Sequence, residues 1–556
     1  MRHIYIDYNP NIKRSPKDKR NLICLQTLSF FIVGQDAGEQ IKELGCLNQL
    51  SGELDIRNLE NVRDQEEARS TNLAIRANIN RLGFYWSYKS DSEVNHHNEE
   101  EVLEGLHPHQ NLKSLMIDGF GGKKFPSWMS HFDNLIQINL ICCDCEQVPT
   151  LGHLSYLKAL EIYEMNDVTC IGVEFYGMCS NVLFPALRTL TIGCMQKLVE
   201  WKDALEVTSA RVVFPCLEEL TIENCSQLRS APCHFQFLQK LKIRNIYYTA
   251  FERISSNLTT LKSAQISSVS ELTFVPEQLF CTSHQSHKID NCGKLSYIPD
   301  TSQPLISLEE LTIRSCPKLK CFPSIQGLQG LRRLSISGCG FEVLTTQLQL
   351  CTSLSQLYIE DCSNLKSLPD LQEFHSLAQL EIYRFRNLKS IPDLRELCFL
   401  TTLAIQDCRN IMRLPEGSLK CLKTLIIGGY CNELDAFPSL NFIQHSHLTL
   451  EFLHLKGWAK LNTLPGEIQH FIALETLIID GFHGIKALPE WLGNLYSLKK
   501  LRIRECNNLM YLPTTTTRLI RLEELNIWYC SKLMERCTEG SGAEWLKISH
   551  IPKISV

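Results

Sequence analysis

LEELTIRSCPKL, spanning Leu308–Leu319, returns as LSQLYIEDCSNL at Leu354–Leu365, LTTLAIQDCRNI at Leu400–Ile411, LKKLRIRECNNL at Leu498–Leu509 and LEELNIWYCSKL at Leu522–Leu533. The shared template is L-x-x-L-x-I-x-x-C-x-x-L. Its third apolar anchor falls at Ile266, Ile289, Ile313, Ile336, Ile359, Ile382, Ile405, Ile427, Leu455, Ile479, Ile503 and Ile527. Looser copies stand at Ile117, Leu140, Ile162, Ile192, Ile222 and Ile243, and weaker ones at Ile56 and Phe84. Leu and Ile two places apart share one face of a short strand, and the residues between them face the other way. A strand that short cannot bury its apolar face alone. Successive coils must therefore stack into a continuous parallel sheet over a leucine core.

Steps of about 22 to 24 residues between the later anchors, with a longer one before Leu455, lie in the leucine-rich-repeat range. About 20 repeats follow from the anchors. The expected fold is an α/β solenoid, a leucine-rich-repeat horseshoe with a parallel concave sheet and short helical or irregular convex segments. Leu368-Pro369, Leu414-Pro415, Leu464-Pro465, Leu488-Pro489 and Leu512-Pro513 mark the outward legs, where proline fixes φ and no ladder donor is needed. One coil departs from the pattern: His284 and His287 replace the two ladder leucines before Ile289, so that coil is expected to be loose or to interrupt the arc.

The template also accounts for many of the 25 cysteines. Cys143, Cys225, Cys292, Cys316, Cys339, Cys362, Cys408, Cys506 and Cys530 occupy the slot where the chain turns off the strand, which suits a small buried side chain that can bond the backbone weakly. Cys142-Cys143-Asp144-Cys145 contains C-x-x-C, but Cys143 is already a ladder residue and no second C-x-x-C completes a zinc site. The expectation is reduced thiols and no bound metal.

Composition narrows the function classes. The chain has 556 residues, 44% hydrophobic and 21% charged, with Lys+Arg 56 against Asp+Glu 61 and a net charge of −5. That balance offers no general attraction to nucleic acid or to an anionic membrane. LSFFIV (Leu28–Val33) is among the longest apolar stretches, far short of the roughly 20 residues that span a bilayer. The N-terminal MRHIYIDYNPNIKRSPKDKR has no apolar segment of the secretory kind. The N-x-[ST] sequons at Asn224 and Asn257 do not change this, because Asn224 directly precedes ladder Cys225. No G-x-x-x-x-G-K-[ST], H-E-x-x-H, G-x-S-x-G or kinase signature occurs. Gly119, Gly121 and Gly122 beside Lys123 and Lys124 read as a turn between repeats rather than a phosphate loop. His96-His97 reads as part of a polar insertion. No catalytic residue, cofactor or metal ligand is expected.

Two blocks are more specific than the generic repeat. ICLQTLSFFIVGQDAGEQIKELGCLNQLSGELDIRNLENV (Ile23–Val62), followed by EEARSTNL (Glu66–Leu73), is similar to the linker repeat of plant intracellular immune receptors of the coiled-coil, nucleotide-binding, leucine-rich-repeat class. VLEGLHPHQNLKSLMIDGFGGKKFPSWM (Val102–Met129) continues the resemblance, and EWLKISHIPKISV (Glu544–Val556) is similar to the family's terminal segment. Residues 1–110 are thus expected to hold irregular repeats and the linker repeat, 111–534 the regular solenoid, and 535–556 a C-terminal cap. Met1-Arg2-His3-Ile4 reads as a strand already inside the repeats, and the family's nucleotide switch finds no motif here to carry it. The resemblance implies a cytoplasmic region that recognises a pathogen effector or a guarded host protein. It also implies contact with a nucleotide-binding domain in cis or in trans. The alternatives are a scaffold such as a ubiquitin ligase substrate adaptor, which calls for a helical adaptor motif, and an extracellular ectodomain, which calls for G-x-I-P repeats.

The period-two rule singles out a surface on the C-terminal strands. Lys500, Arg502 and Arg504 project away from buried Leu501 and Ile503. Glu524, Asn526 and Trp528 follow on the next strand, and Asp480, Ile478, Phe452, His454 and Lys456 on the preceding ones. Arginines beside exposed Trp and Phe are the mix that dominates protein interfaces. The competing reading is a row of surface ion pairs, as Lys240, Lys242 and Arg244 beside Glu219 and Glu223 suggest.

Overall fold

The computed structural model describes residues 2–4, 24–36, 38–87, 98–177, 181–204, 212–280, 285–299, 305–322, 327–344, 348–349 and 351–556. His96, His97 and His284 lie outside them. Two units divide the chain, Met1–Glu271 and Leu272–Val556.

In the first unit, strands from Phe30–Ile32 to Ser263–Ser267 pair in parallel, each with the next coil's strand. The register stacks like on like. Leu54, Leu82, Leu115, Ile138, Leu160, Leu190, Leu220, Leu241 and Ala264 form one buried row, and the anchors from Ile56 to Ile266 form the second. Full burial of such side chains contributes about 1.5–3 kcal/mol each, so the two rows dominate the unit's stability. Phe184 and Phe214 stack behind the sheet at 5.1 Å, and Phe214 and Phe235 at 5.8 Å. His3–Ile4 pairs in parallel with Thr27–Leu28, apart from the main sheet.

The second unit repeats the scheme from Ser286–Asp290 to Glu524–Trp528. His287 stands in the leucine row, in register with Leu311, buried, its ring 4.8 Å from that of Phe280. His287 thus fills its place in the row with an aromatic contact where the leucine would have packed. Pro465, Pro489 and Pro513 immediately precede the short 3-10 helices Gly466–His470, Glu490–Asn494 and Thr514–Arg518, the latter two prolines in extended conformation, the outward-leg role expected of proline. At the C-terminus, Lys553–Ser555 adds a further strand beside Glu524–Trp528. Glu544 secures it: its carboxylate accepts from Leu512 N at 2.9 Å and from Lys547 Nζ at 2.7 Å.

A device common to both units marks the end of most anchor segments. The residue two places after the anchor adopts left-handed backbone, with φ of 56° at Glu164, 48° at Asp361, 58° at Arg384, 51° at Glu505 and 57° at Tyr529. Its N–H extends the ladder to the next coil, as Arg384 to Gln406 O at 3.0 Å and Glu505 to Trp528 O at 3.1 Å. The cysteine slot follows directly. The Cys316, Cys339, Cys506 and Cys530 thiols donate to the carbonyls two residues back, at 3.2 to 3.3 Å. Burial pushes the Cys408 and Cys362 thiols up to about 12, which keeps them protonated and unreactive. Every described cysteine is free.

Candidate protein-binding surface

Four consecutive strands of the second unit, Phe452–Lys456, Thr476–Asp480, Lys500–Arg504 and Glu524–Trp528, align without slippage. Their outward residues form three rows: Phe452, Thr476, Lys500 and Glu524; then His454, Ile478, Arg502 and Asn526; then Lys456, Asp480, Arg504 and Trp528. The structure thus gathers all eight residues expected at the surface, Lys500, Arg502, Arg504, Trp528, Phe452, His454, Lys456 and Asp480, on one face.

Their partners divide the face in two. Glu524 takes Arg502 Nη2 at 3.1 Å and Lys500 Nζ at 3.9 Å. It also accepts from Asn526 Nδ2 at 2.5 Å. Those bonds, the Asn526 amide first and Arg502 next, hold the Glu524 carboxyl below its usual range. The ion-pair reading is therefore correct for Lys500 and Arg502. Arg504 behaves differently. Asp480, the acid beside it in its row, faces His454, whose Nε2 is 3.5 Å away. The Arg504 guanidinium instead lies over the Trp528 ring, 4.6 Å from its centre, a cation–π contact. Trp528 and Phe452 are half-buried rather than exposed, because their neighbours cover part of each ring. Lys456 reaches across the strand Thr424–Gly428 to Asp407, just past the end of the strand Thr402–Gln406, at 2.9 Å; its own row neighbour there is Gly428, which has no side chain to obstruct it.

Two polar atoms on this face lack an acceptor. Arg502 Nε and Arg504 Nε are buried without a hydrogen-bond partner. Buried donors of this kind are destabilising until something accepts from them. Period-two reading missed a second cluster on the same face, two tyrosines from adjacent strands: the Tyr358 and Tyr383 rings lie 5.7 Å apart, and Tyr383 Oη donates to Glu381 at 3.2 Å. Their alternation was visible in LYI and EIY; their adjacency depended on the register.

Elsewhere, the glycine turn has its amides occupied: Gly121 N donates to Glu99 at 2.6 Å and Lys123 N to Glu100 at 2.7 Å. Lys123 Nζ pairs with Asp167 at 2.8 Å. Two carboxylates already hold the positions a phosphate would need.

Comparison with known proteins agrees with this geometry. Residues 41–165 match the family described as R13L1/DRL21 leucine-rich repeats. Two Solanum bulbocastanum relatives, RGA1 and the disease resistance protein RGA2, are 35% and 34% identical over 265 and 274 residues. The chain is similar to the leucine-rich-repeat region of plant disease resistance proteins. RPP13-like protein 1 of Arabidopsis thaliana is 30% identical over 338 residues, 56% of this chain and 31% of the relative. For RGA1 and RGA2 the shares are 47% of this chain and 25% and 27% of theirs. This leucine-rich-repeat region therefore spans about a quarter to a third of the length of those relatives. Among the described residues, no helix is long and apolar enough to cross a membrane.

Proposed function

We propose that this chain is the recognition and autoregulatory region of a plant intracellular immune receptor, acting by protein binding in the cytoplasm rather than by catalysis. The family relationship supports the receptor context. The observation that carries the binding role is the C-terminal face: Arg504 stacked on Trp528 rather than paired with an acid. Arg and Trp held in place before binding lose little side-chain freedom on contact, and such residues supply most interface energy. The partner is a pathogen effector or a guarded host protein presenting carboxylates to this face. A nucleotide-binding domain, in cis or in trans, is the regulatory partner.

The test is simultaneous replacement of Arg502, Arg504 and Trp528 by Ala, with melting and circular dichroism confirming the fold. A panel of secreted pathogen proteins and a resistance-protein nucleotide-binding domain is then screened by surface plasmon resonance. Loss of a wild-type interaction by at least tenfold supports the surface. Binding unchanged across every partner found discards it.

A further inference from the structure

Two consecutive coils of the Met1–Glu271 unit bring three metal-competent side chains together on the outward legs. Asp203 follows the short strand Glu200–Trp201, and Cys233 and His234 follow the bridge residue Ser230 of the next coil. A carboxylate oxygen of Asp203, the sulfur of Cys233 and a ring nitrogen of His234 all lie within 4.8 Å of one another, and all three residues are half-buried.

Two details separate this trio from an ordinary ion pair. His234 Nε2 stands 3.4 Å from Asp203 Oδ1, yet that oxygen is buried and accepts no hydrogen bond. The ring nitrogen is close without aiming a proton at it. Two ligands bound at 2.0–2.1 Å to one tetrahedral ion stand roughly 3.3–3.4 Å apart, so the spacing fits co-ligands. The second detail is the opposite oxygen: Asp203 Oδ2 accepts from Arg253 Nη2 at 2.6 Å, and Arg253 Nε donates to Ala231 O at 2.7 Å. The carboxylate is thus oriented from behind, with one oxygen left for a ligand, the arrangement outer-shell partners give metal-binding carboxylates.

We propose that Asp203, Cys233 and His234 form a zinc site that clips these two coils together, with water as the fourth ligand. The ligand set decides the class of ion. Thiolate and imidazole suit zinc and exclude calcium and magnesium, which take oxygen ligands. Binding releases the Cys233 thiol proton to solvent as the sulfur–metal bond forms.

Cobalt reports the site. The reduced, metal-free chain is titrated with Co2+, whose visible bands mark tetrahedral coordination and whose near-ultraviolet charge-transfer band marks a bound thiolate. One saturable equivalent carrying both signals and displaced by Zn2+ is expected. With 25 cysteines in the chain, the variants decide the assignment. Cys233→Ser should abolish the charge-transfer band of that equivalent, and Asp203→Asn should weaken binding by about tenfold or more. If Cys233→Ser misfolds, loss of the tetrahedral bands in His234→Gln carries the same decision. Wild-type spectra persisting in the ligand variants would overturn the site. So would an absence of saturable uptake, which would leave the trio as an ion pair shared by His234, Asp203 and Arg253.

Discussion

Replacing Leu380 by Ala removes most of one rung of the leucine row. Leu380 is fully buried and stands between Leu357 and Leu403, with Ile382 two places on in the same strand. Leu→Ala in a packed core costs about 2–5 kcal/mol, the range reflecting how far neighbours can collapse into the space. Collapse here is restrained, because the coils on both sides are fixed by the parallel ladder, so the upper half of that range is expected. Gln379→Ala, on the outward face of the same strand, should change stability by less than about 0.5 kcal/mol. Leu380→Asp should exceed the alanine loss, since a buried carboxylate between Leu357 and Leu403 finds neither cation nor donor. Urea unfolding measures the size of the effect and hydrogen exchange its location. Each coil contacts only its neighbours, so protection should fall in Gln356–Glu360 and Thr402–Gln406 and persist in Thr476–Asp480. A loss below about 1 kcal/mol for Leu380→Ala, or an even loss of protection along the unit, would refute the ladder account.

Glu505→Gly should stabilise the chain by about 0.5–1 kcal/mol, the left-handed strain of about 1–2 less the added chain entropy of glycine; Glu505→Val should destabilise it, and thermal melts distinguish the two. Glu490 accepts from Thr514 N at 2.9 Å, Thr514 Oγ1 at 2.8 Å and Thr515 N at 3.1 Å, and those bonds, the Thr514 amide first, depress its carboxyl. Its contribution is therefore present above the unfolded carboxylate range near pH 4.3 and lost as pH falls through the lower folded value; Glu490→Gln should flatten that part of the acid-stability profile, and an unchanged profile would contradict the assignment. Calorimetric titration with ADP or ATP should show no saturable binding, because no phosphate loop is present and the glycine-turn amides of Gly121 and Lys123 are engaged by Glu99 and Glu100.

The anchors were legible because burial repeats with the template: any coil whose sequence reads L-x-I must turn those side chains inward to stack. The left-handed residue two places after most anchors was only partly legible: Asn or Gly stands there in several coils, such as Asn224, Asn291 and Gly338. Arg384, Glu505 and Tyr529 are poor local indicators of positive φ, and the conformation is imposed by the next coil, whose carbonyl captures the amide. His287 shows the same precedence of stacking over side-chain preference. The strand Lys553–Ser555 was also hidden, since three residues carry no period. For the candidate surface, alternation identified which residues share a face, whereas their pairings depended on lateral register. Arg504 finds Trp528 because both stand in the third row. The metal-competent trio was invisible for another reason: Asp203 and Cys233 hold equivalent positions of consecutive coils, 30 residues apart like Ile192 and Ile222, but on irregular outward legs that carry no residue template.

A comparison within the chain explains why similar cation patterns lead to different surfaces. Lys240, Lys242 and Arg244 occupy one strand as Lys500, Arg502 and Arg504 occupy another. In the first case two acids face the lysines: Lys240 pairs with Glu219 at 2.5 Å and Lys242 with Glu223 at 3.0 Å. Such solvent-exposed pairs are satisfied by their neighbours and offer a partner little. In the second, Glu524 alone serves Lys500 and Arg502, and Asp480 is turned to His454. Trp528 then supplies what an acid would otherwise supply to Arg504, but a ring face accepts charge without accepting the Nε hydrogen bond. The result is a guanidinium fixed over the Trp528 ring with no acid of its own. A carboxylate arriving from another protein can pair with the Arg504 guanidinium without first displacing an internal ion pair, and that difference, rather than the number of cations, is what favours the C-terminal strands as the proposed contact surface.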